Sequence, residues 1–172
     1  EHEQVTYPEA LRWLAKKYHI EIRERELSDE ERKEQSLRES MFIVNEWAAT
    51  YFEDILHNHV DGVAIGMQYF RSRGFRDDVI RKFRLGFDLP DRQVLAHAAL
   101  QKGYQAQFLL STGICYQNDH NELIDRYAKR VIFPWVGVSG KIVGFGGRVL
   151  DARTKGVNQK YVNSPDSEIY HK

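Results

Sequence analysis

The sequence contains a single cysteine, Cys115, among 172 residues. One thiol excludes an internal disulfide framework and a cysteine-rich zinc site within this chain. No apolar run approaches the roughly 20 residues that a membrane-spanning helix requires, and the first twenty residues are charged and lack the apolar stretch of a signal peptide. These absences predict a cytoplasmic protein with no membrane partner.

The sequence also has no net charge, because 25 Lys and Arg balance 25 Asp and Glu. The balance conceals a gradient: residues 1–59 carry a net charge of −6, residues 60–125 are neutral, and residues 126–172 carry +6. Such an excess of positive charge is typical of a phosphate-binding surface. The alternative is a solvated basic face that balances the acidic helices.

Apolar side chains recur every three or four residues in the first two thirds of the sequence, which predicts helices. The longest begins at a capping box at Ser28 and continues to about Asn58. Its apolar stripe, which includes Met41 and Ile55, should be buried. The predicted helices cover residues 6–20, 29–58, 61–73, 77–83, 91–102 and 105–110.

The last third changes to the β-branched, alternating pattern of strands. Residues 130–136 and 141–150 predict an antiparallel hairpin, residues 151–159 a polar loop, and residues 160–163 a further extended segment. The predicted fold class is therefore α+β, with a helical N-terminal half packed against a small antiparallel or mixed β-sheet in the C-terminal half.

Few residues suggest catalytic chemistry. The glycine run at 144–147 is not a dinucleotide-binding loop, because Arg148 continues the strand where that motif requires a helix. The glycines indicate either close backbone packing or a bare backbone against which a nucleic-acid strand lies. His57 and His59 lack companions at metal-ligand spacing and are interpreted as helix-end residues, and Cys115 is interpreted as a half-buried strand residue.

The basic segment is poor in acids, since residues 126–172 contain only Asp151, Asp166 and Glu168. Two-metal phosphoryl transfer needs several convergent carboxylates, so this segment is predicted to bind nucleic acid without catalysing a reaction on it. Basic residues alternate there with aromatic ones, a pattern typical of surfaces that bind single-stranded nucleic acid.

Strand alternation makes the prediction more specific. In a regular strand, Arg126, Ala128 and Arg130 would share one face, while Tyr127 and Lys129 would point to the other. Some aromatic side chains must fill the core, and Phe133 and Phe145 are predicted to be buried.

Several motifs in order carry a family resemblance. Residues 130–134 (RVIFP), 144–150 (GFGGRVL), 160–165 (KYVNSP) and 169–172 (IYHK) resemble the Toprim-type bacterial replicative DNA primase, which makes RNA primers on a single-stranded template. The likeness includes residues 69–74 and 79–87 and so covers nearly the whole chain.

The resemblance implies a domain organisation. Residues 1–27 would be a helix and linker that follow a zinc-binding domain, and residues 28–172 the N-terminal subdomain of the RNA-polymerase domain, ahead of a Toprim subdomain that holds the metal-binding acids. This chain would bind no cofactor of its own and would be inactive alone, whereas the full-length enzyme would use Zn²⁺ and Mg²⁺ or Mn²⁺. Implied partners are the single-stranded DNA template, the RNA primer, ribonucleotides and, through a separate C-terminal domain, the replicative helicase of the cytoplasmic replisome.

The resemblance also implies which residues contact nucleic acid. Where the family often has another basic residue, this chain has Ala128, which weakens the expected contact there. The alternative function is a non-catalytic single-strand-binding or partner-docking module of a mobile-element primase-helicase. The implied contact residues are Arg73, Arg126, Arg130, Arg148, Lys160, Tyr161, Asn163 and Lys172.

Overall fold

A computed structural model of the chain describes Trp13, residues 28–150 and residues 159–171. Apart from Trp13, the predicted helix at 6–20 lies outside the described residues, as do residues 151–158 of the predicted loop and Lys172. The chain divides into two units, Glu1–Ser36 and Leu37–Lys172. Within the described ranges, no helix is long and apolar enough to cross a membrane.

The long helix is one continuous element, α1, over Asp29–Asn58. It begins as predicted, since the Ser28 hydroxyl accepts a hydrogen bond from the Glu31 amide at 3.2 Å. Met41 and Ile55 are buried, as the apolar stripe predicts. The shorter α-helices are α2 (Gln68–Ser72), α3 (Asp77–Lys82), α4 (Val94–Gln101) and α5 (Ala106–Ser111).

The predicted helix at 61–73 is confirmed as a helical segment. Most of its first half is a π-helix over Gly62–Met67, which the apolar pattern did not indicate, and α2 follows it directly. Gly62 packs on the backbone of Ile55, and a Cβ on Gly66 would lie 2.8 Å from the Leu56 Cδ1 atom. At both glycines the segment therefore packs closely against α1. A π-helix accommodates an additional residue per turn within a helical segment.

The strands form two antiparallel sheets, which confirms the α+β class. The order of the larger sheet is β1 (Gly86–Phe87), β4 (Arg130–Val136), β5 (Ile142–Val149) and β6 (Tyr161–Asn163). β4 and β5 are the predicted hairpin, with an irregularity between Trp135 and Val136. The smaller sheet pairs β2 (Cys115–Gln117) with β3 (Leu123–Asp125).

The side-chain alternation expected for residues 126–130 required a regular strand there, and the structure has none. Residues 126–129 form a turn, with Lys129 at a φ of 67°, and β4 begins only at Arg130. Arg126, Ala128 and Arg130 therefore do not line one strand face. Tyr127 turns into the core, where its hydroxyl lies 2.8 Å from the Ser164 Oγ atom.

Two groups of buried residues form the core. One joins α1, α4 and α5 to Tyr127 and Phe145, and the other joins the end of α1 and the π-helix to Phe70 and Phe87. Phe145 is fully buried, as predicted, whereas Phe133 is only partly buried and packs edge-on against Phe70, with ring centroids 5.8 Å apart. Cys115 is fully buried, so the half-buried interpretation is wrong.

Candidate nucleic-acid interface

One face of the larger sheet brings several predicted contact residues together. Antiparallel pairing sets Arg148 of β5 opposite Tyr161 of β6, and Gly146 opposite Asn163. Residues two apart on a strand share a face, so these four lie side by side on the face away from Phe145. Tyr161 and Asn163 are exposed.

Arg148 lies between two tyrosine rings. Its guanidinium carbon is 5.5 Å from the ring centroid of Tyr69 and 5.5 Å from that of Tyr161, and its Nη1 atom donates a hydrogen bond to the Tyr69 hydroxyl. Two more cations join the rings: Arg73 lies 5.3 Å from the Tyr69 centroid, and the Lys160 Nζ atom 5.7 Å from that of Tyr161. These five residues are called the Arg148 cluster below.

The positive charge of the Arg148 cluster is not neutralised by described residues. The ion pairs found among the described residues are Arg71 with Asp77, Arg76 with Asp78, and Arg84 with two glutamates of α1. None of them includes a cation of the Arg148 cluster. Rings and cations together offer both a stacking platform, since Tyr161 is 59% exposed, and a surface for phosphates. Tyr69 was not among the predicted contacts, although it lies within a motif that carries the resemblance.

The glycine run is explained by close packing. A Cβ on Gly146 would lie 3.0 Å from the Trp135 Cζ2 atom, one on Gly144 3.0 Å from the Ser164 Oγ atom, and one on Gly147 2.9 Å from the Tyr127 Cδ1 atom. Side chains therefore cover the β5 backbone on both faces. This rules out the interpretation of a bare backbone against which a nucleic-acid strand lies.

Arg130 supports the interface from inside. It is only 8% exposed, and its guanidinium donates hydrogen bonds to the carbonyl oxygens of Gln159 at 2.9 Å and Lys160 at 3.1 Å, with a longer one to Gly147 at 3.5 Å. Burial lowers the pKa of the Arg130 guanidinium from its usual value. Arg130 thus anchors the segment that leads into β6 and its exposed Tyr161.

Arg126 belongs to a different part of the surface. Its Nε atom donates to the Gly113 carbonyl oxygen at 2.6 Å, and its guanidinium lies 5.5 Å from the ring centroid of Tyr116. The structure thus groups Arg73, Arg148, Lys160 and Tyr161, with Asn163 two residues after Tyr161 on β6. Arg126 lies beside the smaller sheet instead.

Two acids, Asp125, which precedes Arg126, and Asp88, are buried. Asp125 accepts hydrogen bonds from the Leu95 and Ala96 amides at 2.9 and 3.0 Å and so caps α4. Burial nevertheless raises the pKa of Asp125 to about 6. Burial, and then the charge of Asp125, raise the pKa of buried Asp88 well above its usual range. Among the described residues, no group of three or more His, Cys, Asp or Glu could hold a metal ion.

Comparison with known proteins identifies relatives of this chain. Residues 51–172 match the family model of the DNA primase catalytic core, N-terminal domain. The DNA primase of Clostridium acetobutylicum is 32% identical over 167 residues, which are 97% of this chain and 26% of that protein. The chain thus spans about a quarter of that relative's length.

Solved structures show the same likeness. The RNA polymerase domain of Mycobacterium tuberculosis primase, in complex with a double-stranded DNA oligomer with a 6-nucleotide overhang, superimposes with a TM-score of 0.71 at 29% identity, over 78% of this chain and 40% of that one. A primase catalytic domain bound to single-stranded DNA gives a TM-score of 0.67 at 31% identity, over 80% of this chain and 42% of that one. The chain therefore belongs to the family of DNA primase catalytic core N-terminal domains.

Proposed function

We propose that this chain is the template-binding part of a DNA primase that synthesises short RNA primers on single-stranded DNA for replication. The observation that carries the proposal is the Arg148 cluster, in which an arginine is held between two tyrosine rings with two further cations on those rings. The solved relative bound to single-stranded DNA supports the choice of ligand.

The cluster would divide its contacts between backbone and bases. Arg73, Arg148 and Lys160 would contact successive phosphates and release counterions. Tyr161 would stack on a base, which tolerates any sequence because every base has a π-face. Asn163, exposed next to Tyr161 on the same face, would add a hydrogen bond to the strand.

Catalysis would belong to other parts of the whole protein. The acids that bind Mg²⁺ or Mn²⁺, and the ligands of a structural Zn²⁺, would lie in domains outside this sequence. The RNA primer, ribonucleotides and replicative helicase would be partners of that whole enzyme, at the replisome in the cytoplasm. The names of the curated relatives favour a primase over a docking module of a mobile element.

Binding can be tested by fluorescence anisotropy with a labelled single-stranded oligonucleotide across a salt series. The three cations of the Arg148 cluster predict a slope of about −2 for log K against log salt, at about −0.7 per phosphate on a single strand, and contacts from Arg126 and Lys172 as well would make it about −3.5. Arg148→Ala and Lys160→Ala should each make the slope shallower by about 0.7. The exposed Arg38 of α1 provides the control, because Arg38→Ala should change nothing. If the test and control variants lost affinity equally, the positive charge of residues 126–172 would be a solvated basic face and not a binding surface.

Catalysis needs a separate test. The 172-residue chain alone should make no primer from ribonucleotides on a single-stranded template with Mg²⁺ or Mn²⁺, since its described residues offer no metal-binding group. The full-length protein should make primers under the same conditions. A template-dependent product from the purified chain alone would contradict this division of labour.

A further inference from the structure

A second basic and aromatic group lies at the smaller sheet. Tyr116 of β2 is partly exposed and belongs to neither group of buried residues. The Arg126 guanidinium carbon lies 5.5 Å from its ring centroid, and the Arg92 Nη2 atom donates a hydrogen bond to its hydroxyl at 2.9 Å. The ring is therefore fixed at its face and at its edge without filling the core.

The backbone holds both arginines in place. The Asp125 amide donates to the Arg92 carbonyl oxygen at 2.6 Å, and the Arg126 amide donates to the Ile114 carbonyl oxygen at 2.9 Å. Among the described residues, neither arginine forms an ion pair with a carboxylate. The neighbouring Asp91 accepts instead from the Gln93 amide at 2.9 Å. Two cations thus remain available for a phosphate beside a fixed ring.

The second group is connected to the Arg148 cluster through the chain that follows β6. Asn163 ends β6, and Pro165, two residues later, packs directly on Gly113. The Gly113 carbonyl oxygen is the acceptor that holds the Arg126 side chain. A short series of contacts therefore leads from the Tyr161 platform to Tyr116.

We propose that Tyr116, fixed by Arg92 and Arg126, is a second base-stacking position for the single strand, reached by nucleotides that extend beyond the Arg148 cluster. The proposal rests on the proposed function, since it assigns the same ligand to a further site. An aromatic ring with adjacent unpaired cations is the combination that proteins use to hold single strands without regard to sequence. Arg92 and Tyr116 were not among the contacts that the resemblance implied.

The test measures how binding depends on oligonucleotide length. Anisotropy with labelled deoxythymidine oligonucleotides of about 4 and about 16 nucleotides, a range that single-strand sites span, compares the 172-residue chain with its variants. Tyr116→Leu removes stacking and should weaken binding of the long oligonucleotide roughly tenfold while leaving the salt slope unchanged. Tyr116→Phe keeps the ring and should bind the long oligonucleotide within about twofold of the parent. Arg92→Gln should weaken only the long oligonucleotide and make its salt slope shallower by about 0.7.

Phe83 provides a matched control. It is 59% exposed and, like Tyr116, has a cation on its ring, the Lys82 Nζ atom at 5.8 Å. Phe83→Leu should leave both oligonucleotides unaffected, and thermal melting should confirm that each variant is folded.

The outcomes distinguish the two proposals. If the parent binds both oligonucleotides and Tyr161→Ala weakens both, but a folded Tyr116→Leu binds the long one like the parent, the second position is refuted and the proposed function stands. If Tyr116→Leu weakens the short oligonucleotide equally, Tyr116 belongs to the first site and the proposal is also overturned. If the parent binds neither oligonucleotide, the proposed function itself fails.

Discussion

Arg130 offers the sharpest test of how the interface is built, because the resemblance implies a nucleic-acid contact while the structure buries its guanidinium. Arg130→Ala would remove the donors to the Gln159 and Lys160 carbonyl oxygens at 2.9 and 3.1 Å. A hydrogen bond from a charged donor contributes about 1.5–3 kcal/mol. Gln159 and Lys160 are exposed, so water can replace part of each bond, and the expected loss is about 3 kcal/mol, the low end for two bonds.

Two measurements separate support from contact. Urea unfolding gives the free energy of unfolding, and anisotropy at a temperature where the variant is folded gives the salt slope. Arg130→Ala should weaken single-strand binding because the segment leading into β6 loosens, with the slope unchanged, whereas Arg148→Ala should make the slope shallower by about 0.7. Arg130→Lys should recover only part of the stability. A lysine keeps the charge and can donate hydrogen bonds, but it lacks the planar, rigid arrangement of donors that the guanidinium directs at the two carbonyl oxygens. An Arg130→Ala variant as stable as the parent, with a slope shallower by 0.7, would show that the guanidinium binds phosphate directly.

Three further predictions concern stability. The free energy of unfolding should fall as pH rises from about 4 through the pKa of about 6 that Asp125 has in the folded protein. The reason is that Asp125 and Asp88 keep protons in the folded state that the unfolded state releases. Urea titrations across that pH range test this, and Asp88→Asn should make the dependence of stability on pH less steep. Met41→Lys would bury an unpaired charge and should unfold or loosen the domain, so a melting temperature within about a degree of the parent would contradict the core assignment. Gly86→Ala would place a Cβ 2.5 Å from the Phe52 Cβ atom and should cost about 1–3 kcal/mol in urea unfolding.

Long periodic segments were predictable from the sequence. The apolar stripe of α1 and the β4–β5 hairpin appear where their patterns indicate, because periods of 3.6 and 2 repeat there over enough residues to be distinguished. Two of the basic and aromatic residues predicted to contact nucleic acid, Arg148 and Tyr161, do lie together, as a cross-strand pair.

Other features depend on contacts that no local pattern encodes. Tyr69 reaches Arg148 across 79 residues of sequence, so the Arg148 cluster could not be assembled from strand alternation alone. β2 and β3 have three residues each, too few for a period to show. The left-handed backbone of Lys129, rare for a residue with a side chain, ends the alternation that had placed Arg126 and Arg130 on one face.

That turn explains how two surface groups share one support. Three side chains in the segment from Asp125 to Arg130 serve different neighbours: Asp125 caps α4, Arg126 lies on Tyr116, and Arg130 holds the segment leading into β6. Tyr127, between them, is fixed to Ser164 at the end of β6. The six residues therefore set the spacing between the Arg148 cluster and Tyr116. If both bind one strand, inserting a residue into this turn should reduce affinity for long oligonucleotides more than for short ones, because the two positions would no longer be held at one distance.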